Sequence, residues 1–134
     1  MKVLEDKLCH GDILIAEDDN IVSEGIVAAL RSAGFFSFRT VRTFAEGLTE
    51  TQRQQPFCAI IDGNLADGSR GLDLVAHLAT LGTPCLVISG HLMREDALTA
   101  GALTFLPKPF TNAQLIDHVK RLLNARAGTA GITE

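Results

Sequence analysis

The chain has no basic excess, no long apolar run and no recognisable cysteine pairing, and each absence excludes a class of function. Lysine and arginine number 12 against 16 aspartates and glutamates, a net charge of −4. The basic patch or stripe of a nucleic-acid footprint is therefore missing, and no direct DNA binding is expected. No stretch approaches the roughly 18 continuous apolar residues of a membrane span, so no membrane insertion is expected. The N-terminal MKVLEDKLCHGD is charged and interrupted, unlike the layout of a secretory signal. Cys9, Cys58 and Cys85 are an odd set without CxxC spacing, and no cysteine–histidine pair shows zinc-ligand spacing. Reduced, structural thiols in a cytoplasmic protein are the simpler expectation. Internal repeats, low-complexity blocks and interdomain linkers are also missing, so 134 residues make one domain.

Four short apolar runs are present, and each ends on a polar residue suited to phosphoryl chemistry. ILIA runs into Glu17-Asp18-Asp19, CAII into Asp62, CLVI into Ser89 and TFLP into Lys108. Short apolar runs of this kind read as buried strands. Between them lie helical patterns. Val22, Ile26, Ala29 and Leu30 form one stripe, stopped at Gly34. Thr43 and Glu46 form a capping box ahead of a second helix that must finish before Pro56. Leu72, Val75, Ala76 and Leu78 mark a third helix, and a short fourth runs from about Leu92 to Ala100 and ends at Gly101. Thr111 and Gln114 cap a last helix that buries Leu115, Val119, Leu122 and Leu123. FFSFRTV supplies the second of five strands by its alternation. Five βα units predict a doubly wound parallel sheet, order 2-1-3-4-5, with helices on both faces in the flavodoxin-like manner. The expected boundaries are an N-terminal extension at 1–11, the domain at 12–126 and a flexible tail at 127–134.

In such a sheet the carboxyl ends of neighbouring strands line one crevice at the switch point. Glu17, Asp18, Asp62, Ser89 and Lys108 are thus expected to meet. Two carboxylates about 4 Å apart repel by about 4 kcal/mol at an effective dielectric of about 20, so a cation is expected among them. Oxygen ligands with waters retained suit Mg²⁺, or Mn²⁺. Simpler roles also fit each residue taken alone. The acidic trio can cap the first helix, Asp19 above all. Asp62 and Ser89 can start turns, Lys108 can be a solvated loop lysine, Phe105 plain core, and His91 a solvent-facing residue at a helix start. His77 as a phosphorylated histidine is disfavoured, because a histidine phosphotransfer module is all-helical and this chain has five strands.

Together, ILIAEDDN, AIIDGNL, LVISGH and FLPKPF resemble the receiver domain of two-component response regulators over about residues 12–124. The resemblance implies that Asp62 is the phospho-acceptor, charged by a sensor histidine kinase or a histidine phosphotransferase. It implies metal ligation by Asp18, by Glu17 through water, by Asp62, and by the backbone carbonyl of Asn64. Ser89 and Lys108 would bind the phosphoryl group, Ser89 and Phe105 would move on activation, and Asn64 and His91 would tune hydrolysis. It further implies a cis Lys108–Pro109 bond. The chain is then a phospho-acceptor signalling protein and no enzyme beyond self-phosphorylation and autodephosphorylation. A stand-alone receiver is expected, acting on an unknown downstream protein, with a homodimer open. Three other readings stay open: a receiver excised from a hybrid kinase, a pseudo-receiver binding module, and a small phosphatase of the haloacid-dehalogenase type. The phosphatase would want a second Asp where Asn64 stands. Departures from the pattern are Ala66 for the usual proline, a short span from Ser89 to Lys108, and Phe105 for the commoner tyrosine.

Overall fold

The computed structural model describes residues 11–68 and 70–132, with side chains as far as Arg126. Five strands alternate with five helices: β1 Ile13–Ala16, α1 Asn20–Ser32, β2 Phe38–Val41, α2 Phe44–Arg53, β3 Cys58–Asp62, α3 Gly71–Thr80, β4 Cys85–Ser89, α4 Arg94–Ala100, β5 Thr104–Pro107 and α5 Asn112–Ile132. All strand pairs are parallel and the order is β2-β1-β3-β4-β5. The winding reverses between β1 and β3, as expected for a doubly wound sheet.

Strand periodicity divides the core in two. Ile13, Ile15, Cys58, Ile60, Leu86, Ile88 and Leu106 face α1 and α5, meeting Ile26, Leu30, Leu115, Val119 and Leu122. The alternate residues, Leu14, Ala16, Ala59, Ile61, Cys85, Val87 and Phe105, face the other way and pack with Leu74, Val75, Leu78 and Ala97 of α3 and α4. Burial on both faces explains why β1, β3, β4 and β5 read as unbroken apolar runs, which the edge strand β2 does not. Each fully buried Leu or Ile contributes roughly 1.5–3 kcal/mol.

Local signals act as expected at several ends. Gly34 and Gly101 adopt left-handed conformations just past α1 and α4, where a Cβ would be strained. Thr111 and Gln114 exchange the two hydrogen bonds of a capping box, at 2.9 and 3.1 Å. At α2 only half of the box forms. Thr43 Oγ1 accepts the Glu46 N–H, but Glu46 Oε1 reaches past Thr43 to the Arg42 N–H.

Two expectations need correction. The alternating FFSFRTV is a strand only from Phe38 to Val41; Phe35 is buried ahead of it, and Phe36 is largely exposed. The last helix does not stop near residue 126 but continues to Ile132, through most of the segment expected to be a flexible tail. No proline interrupts it, and extending an existing helix needs no new nucleus. Of the expected N-terminal extension, only Gly11 falls within the described residues; Cys9 and His10 lie outside them.

Cys58 and Cys85 are free and fully buried. Burial pushes the Cys85 thiol up to about 12 and the Cys58 thiol higher still, with Cys85 as a smaller contributor to the latter. A thiol without thiolate is a poor nucleophile, so at about pH 8 alkylation of the native protein should leave both unmodified. Peptide mapping should find both alkylated once guanidinium has unfolded the chain. Modification of either in the native state would contradict the burial.

Candidate functional site

The strand register builds the site. Ala16 of β1 pairs with Ile61 of β3, so the next residues, Glu17 and Asp62, leave the sheet side by side. Asp62 is abreast of Ile88, and Ser89 is abreast of Pro107. The Lys108 N–H donates to the Ser89 carbonyl at 2.9 Å. Residues separated by up to 91 positions therefore share one edge of the sheet.

Lys108 Nζ donates to Glu17 Oε1 at 3.0 Å and to Asp62 Oδ2 at 2.9 Å. Carboxylate oxygens of Glu17, Asp18 and Asp62 all lie within 4.8 Å of one another. Glu17 and Asp62 are buried and Asp18 is half-buried. Fully ionised, three carboxylates against one ammonium would leave two negative charges, the charge of one divalent cation. The strain shows at Glu17, whose carboxyl is pushed up to about 8. Burial is the main cause, followed by the hydrogen bond with Asp62; Lys108 and the Asp19 N–H only partly offset them. Burial by itself would lower Lys108, but its bonds to Asp62 and Glu17 outweigh that and hold it above the ordinary lysine value. An all-oxygen donor set with unbalanced negative charge fits a hard cation of the Mg²⁺ type.

Other residues singled out from the sequence are placed as follows. Asn64 donates its N–H to Asp62 Oδ1 at 3.0 Å. Ser89 is buried, and its Oγ accepts the N–H groups of His91 and Leu92 at 3.0 and 2.9 Å, so it does serve a turn. A hydroxyl that accepts twice still has its own hydrogen to give. His91 is exposed beside it. Phe105 is buried in the core toward α3 and α4. Asp19 is the N-cap of α1, accepting from Ile21 and Val22. The Lys108–Pro109 bond is cis.

Sequence reading missed Arg42 and Asp67. Arg42 donates to the Asp18 carbonyl from Nε at 3.3 Å and from a terminal nitrogen at 3.1 Å. Asp67, in the loop after β3, accepts the Phe44 and Ala45 N–H groups at the start of α2. The Phe44 bond above all, with the Ala45 bond and a further backbone hydrogen bond, holds its carboxyl below the ordinary range against desolvation. Neither residue lies in a periodic pattern, so no sequence signal marks them.

A five-stranded parallel sheet of this order, with three carboxylates and a lysine at its switch point, defines a flavodoxin-like α/β domain with an acidic, cation-ready crevice. The chain belongs to the response regulator receiver domain family, whose model matches residues 13–120. It is 34% identical over 116 residues to the response regulator protein TodT of Pseudomonas putida, covering 83% of this chain and 50% of that protein. It is 32% identical over 123 residues to the transcriptional regulatory protein PrrA of Mycobacterium tuberculosis, covering 88% and 52%. The chain thus spans about half the length of the curated relatives it matches, and the expectation of no direct DNA binding finds no support among them. The receiver domain of a sensor histidine kinase from Pseudomonas aeruginosa, solved with magnesium in its active-site cleft, shares the fold at a TM-score of 0.76 and 23% identity. That match covers 86% of this chain and 98% of the other. No helix among the described residues is long and apolar enough to cross a membrane.

Proposed function

We propose that this receiver accepts a phosphoryl group on Asp62 from a phosphohistidine of a sensor histidine kinase or histidine phosphotransferase, and so switches protein–protein contacts. The observation that carries the reading is the bridge from Lys108 Nζ to both Glu17 and Asp62, with Asp18 alongside. One oxygen of the Asp62 carboxylate attacks phosphorus as the P–N bond breaks. The imidazole leaves with the electron pair of that bond, and an acyl phosphate remains. Transfer of this kind depends mostly on positioning and charge neutralisation. Glu17, Asp18 and Asp62, with the Asn64 carbonyl, would hold Mg²⁺, which when bound neutralises charge on the phosphoryl oxygens. Lys108 pairs with the same group from the β5 side, and the Ser89 hydroxyl donates to one of its oxygens. In doing so Ser89 would draw on the turn it now holds, and Phe105 would repack beside it, shifting a pre-existing equilibrium between two states.

The magnesium in the kinase receiver supports the choice of ion, and Asn64 in place of a second aspartate argues against a phosphatase of the haloacid-dehalogenase type. Incubation with acetyl phosphate and Mg²⁺ should add one base-labile phosphoryl group per chain, read by intact mass. Asp62→Asn should carry none. An undiminished adduct in that variant would remove Asp62 from its role.

A further inference from the structure

Arg42 immediately follows β2 and joins three loops. Its guanidinium donates twice to the Asp18 carbonyl, at 3.1 and 3.3 Å. Its own N–H goes to Glu46 Oε1 at 2.7 Å, in the first turn of α2. Its carbonyl accepts the Ala66 N–H at 3.1 Å, in the loop that leaves Asp62. That loop is tied to the same corner a second time by Asp67 on the Phe44 and Ala45 N–H groups, and a third time by Arg70, 4.1 Å above the Phe44 ring. One residue therefore spans the segment bearing Asp18, the segment following Asp62, and the start of α2.

We infer that Arg42 is a positioning residue for the cation side of the site, an inference that rests on reading Glu17, Asp18 and Asp62 as ligands. Asp18 is the least buried of the three and sits in a loop. A two-donor grip on its peptide carbonyl restricts the peptide, and with it the direction in which the carboxylate leaves the chain. Hydrogen-bond partners of the ligating groups themselves typically alter metal affinity 10–100-fold when removed, so a grip on the ligand's own peptide is expected at the low end of that range, about tenfold.

Charge and geometry predict opposite signs here, which makes the role testable. Arg42 is an exposed cation close to a cation site. If it acted through charge alone, its removal would tighten Mg²⁺ binding, by an amount that salt would screen. If it acts by positioning, removal loosens Mg²⁺ binding and salt does not restore it.

The experiment is calorimetric titration of the full chain with MgCl₂, with thermal melts of every variant in parallel. Arg42→Ala should weaken Mg²⁺ about tenfold. Arg42→Lys, which keeps the charge but loses the two-donor fork, should weaken it by an intermediate factor. Arg121→Ala, which deletes an equal charge from the exposed Asp117 pair on α5, should change affinity less than twofold. Where Arg42→Ala melts too low to titrate, Arg42→Met decides, since it keeps the aliphatic stem and has no donor: loss of affinity with melting preserved supports the assignment. A wild-type chain that binds Mg²⁺ while Arg42→Ala or Arg42→Met binds as well or better overturns this inference alone. A wild-type chain with no saturable Mg²⁺ binding overturns the reading of the site, and this inference with it.

Discussion

Gly71→Ala should destabilise the domain by about 3 kcal/mol or more and lower its Tm by roughly 10 °C, a methyl group being enough. A Cβ at Gly71 would stand 2.0 Å from the Asp62 carbonyl oxygen and 2.7 Å from the Gly63 Cα. Both are backbone atoms, so no rotamer change relieves the clash. Relief requires α3 to back away from the end of β3, opening the core where Leu74, Val75 and Leu78 pack. The same movement disturbs Asp62, so the loss of stability should come with a loss of Mg²⁺ affinity. Gly25→Ala is the control: a Cβ there meets nothing within 4 Å. That substitution should be neutral or slightly stabilising, because alanine favours an exposed helix over glycine by about 1 kcal/mol. The chain has no tryptophan or tyrosine, so the melts are best followed by far-ultraviolet circular dichroism. A Gly71→Ala protein melting within about 2 °C of wild type would show that α3 does not press on β3 as described.

The second large effect is a trade between stability and function at Asp62. In metal-free buffer, Asp62→Asn should be more stable than wild type by about 1–2 kcal/mol, since it removes a negative charge crowded against Asp18 and the buried Glu17 carboxyl while its amide oxygen can still accept from Lys108. Mg²⁺ should reverse the order. A ligand at 100 times its Kd stabilises by about 2.7 kcal/mol, and the variant lacks one ligand charge. The pH dependence follows from Glu17. Its folded carboxyl titrates near 8 against 4.5 for the ordinary group. Between those values the folded state keeps a proton that the unfolded chain has released. Metal-free stability therefore declines as pH rises through that window and levels off above it. Glu17→Gln should flatten the slope, and Asp62→Asn should reduce it, because burial persists after Asp62's share is gone. Asp62→Asn melting below wild type in EDTA, or Mg²⁺ raising both proteins equally, would contradict the charge argument.

Four of the strands, β2 excepted, and the five strand-end residues were legible because both kinds of signal are local. A strand buried on both faces needs a continuous apolar run, and the polar residue that ends it leaves the sheet in a direction set by the pleat. The Thr111–Gln114 capping box was legible for the same reason, and so were the glycine stops after α1 and α4. Less was legible where neighbours decide. Glu46 fits a box with Thr43 by spacing, yet its carboxylate is taken by the Arg42 N–H. The last helix outruns its apolar stripe, because an existing helix extends without a new nucleus and no proline stops it. Arg42 and Asp67 sit in polar loops, and their partners lie 24 and 23 positions away.

The order of residues along the chain determined which side chains stand at the strand ends, and hence the receiver family and its acidic, oxygen-rich chemistry. Only the assembled sheet decided how close they come, that Lys108 bridges Glu17 and Asp62, that burial raises the Glu17 carboxyl, and that an arginine after β2 grips Asp18. These properties depend on distance and desolvation. Neither exists until parallel strands from distant parts of the chain lie in register and helices close both faces against water.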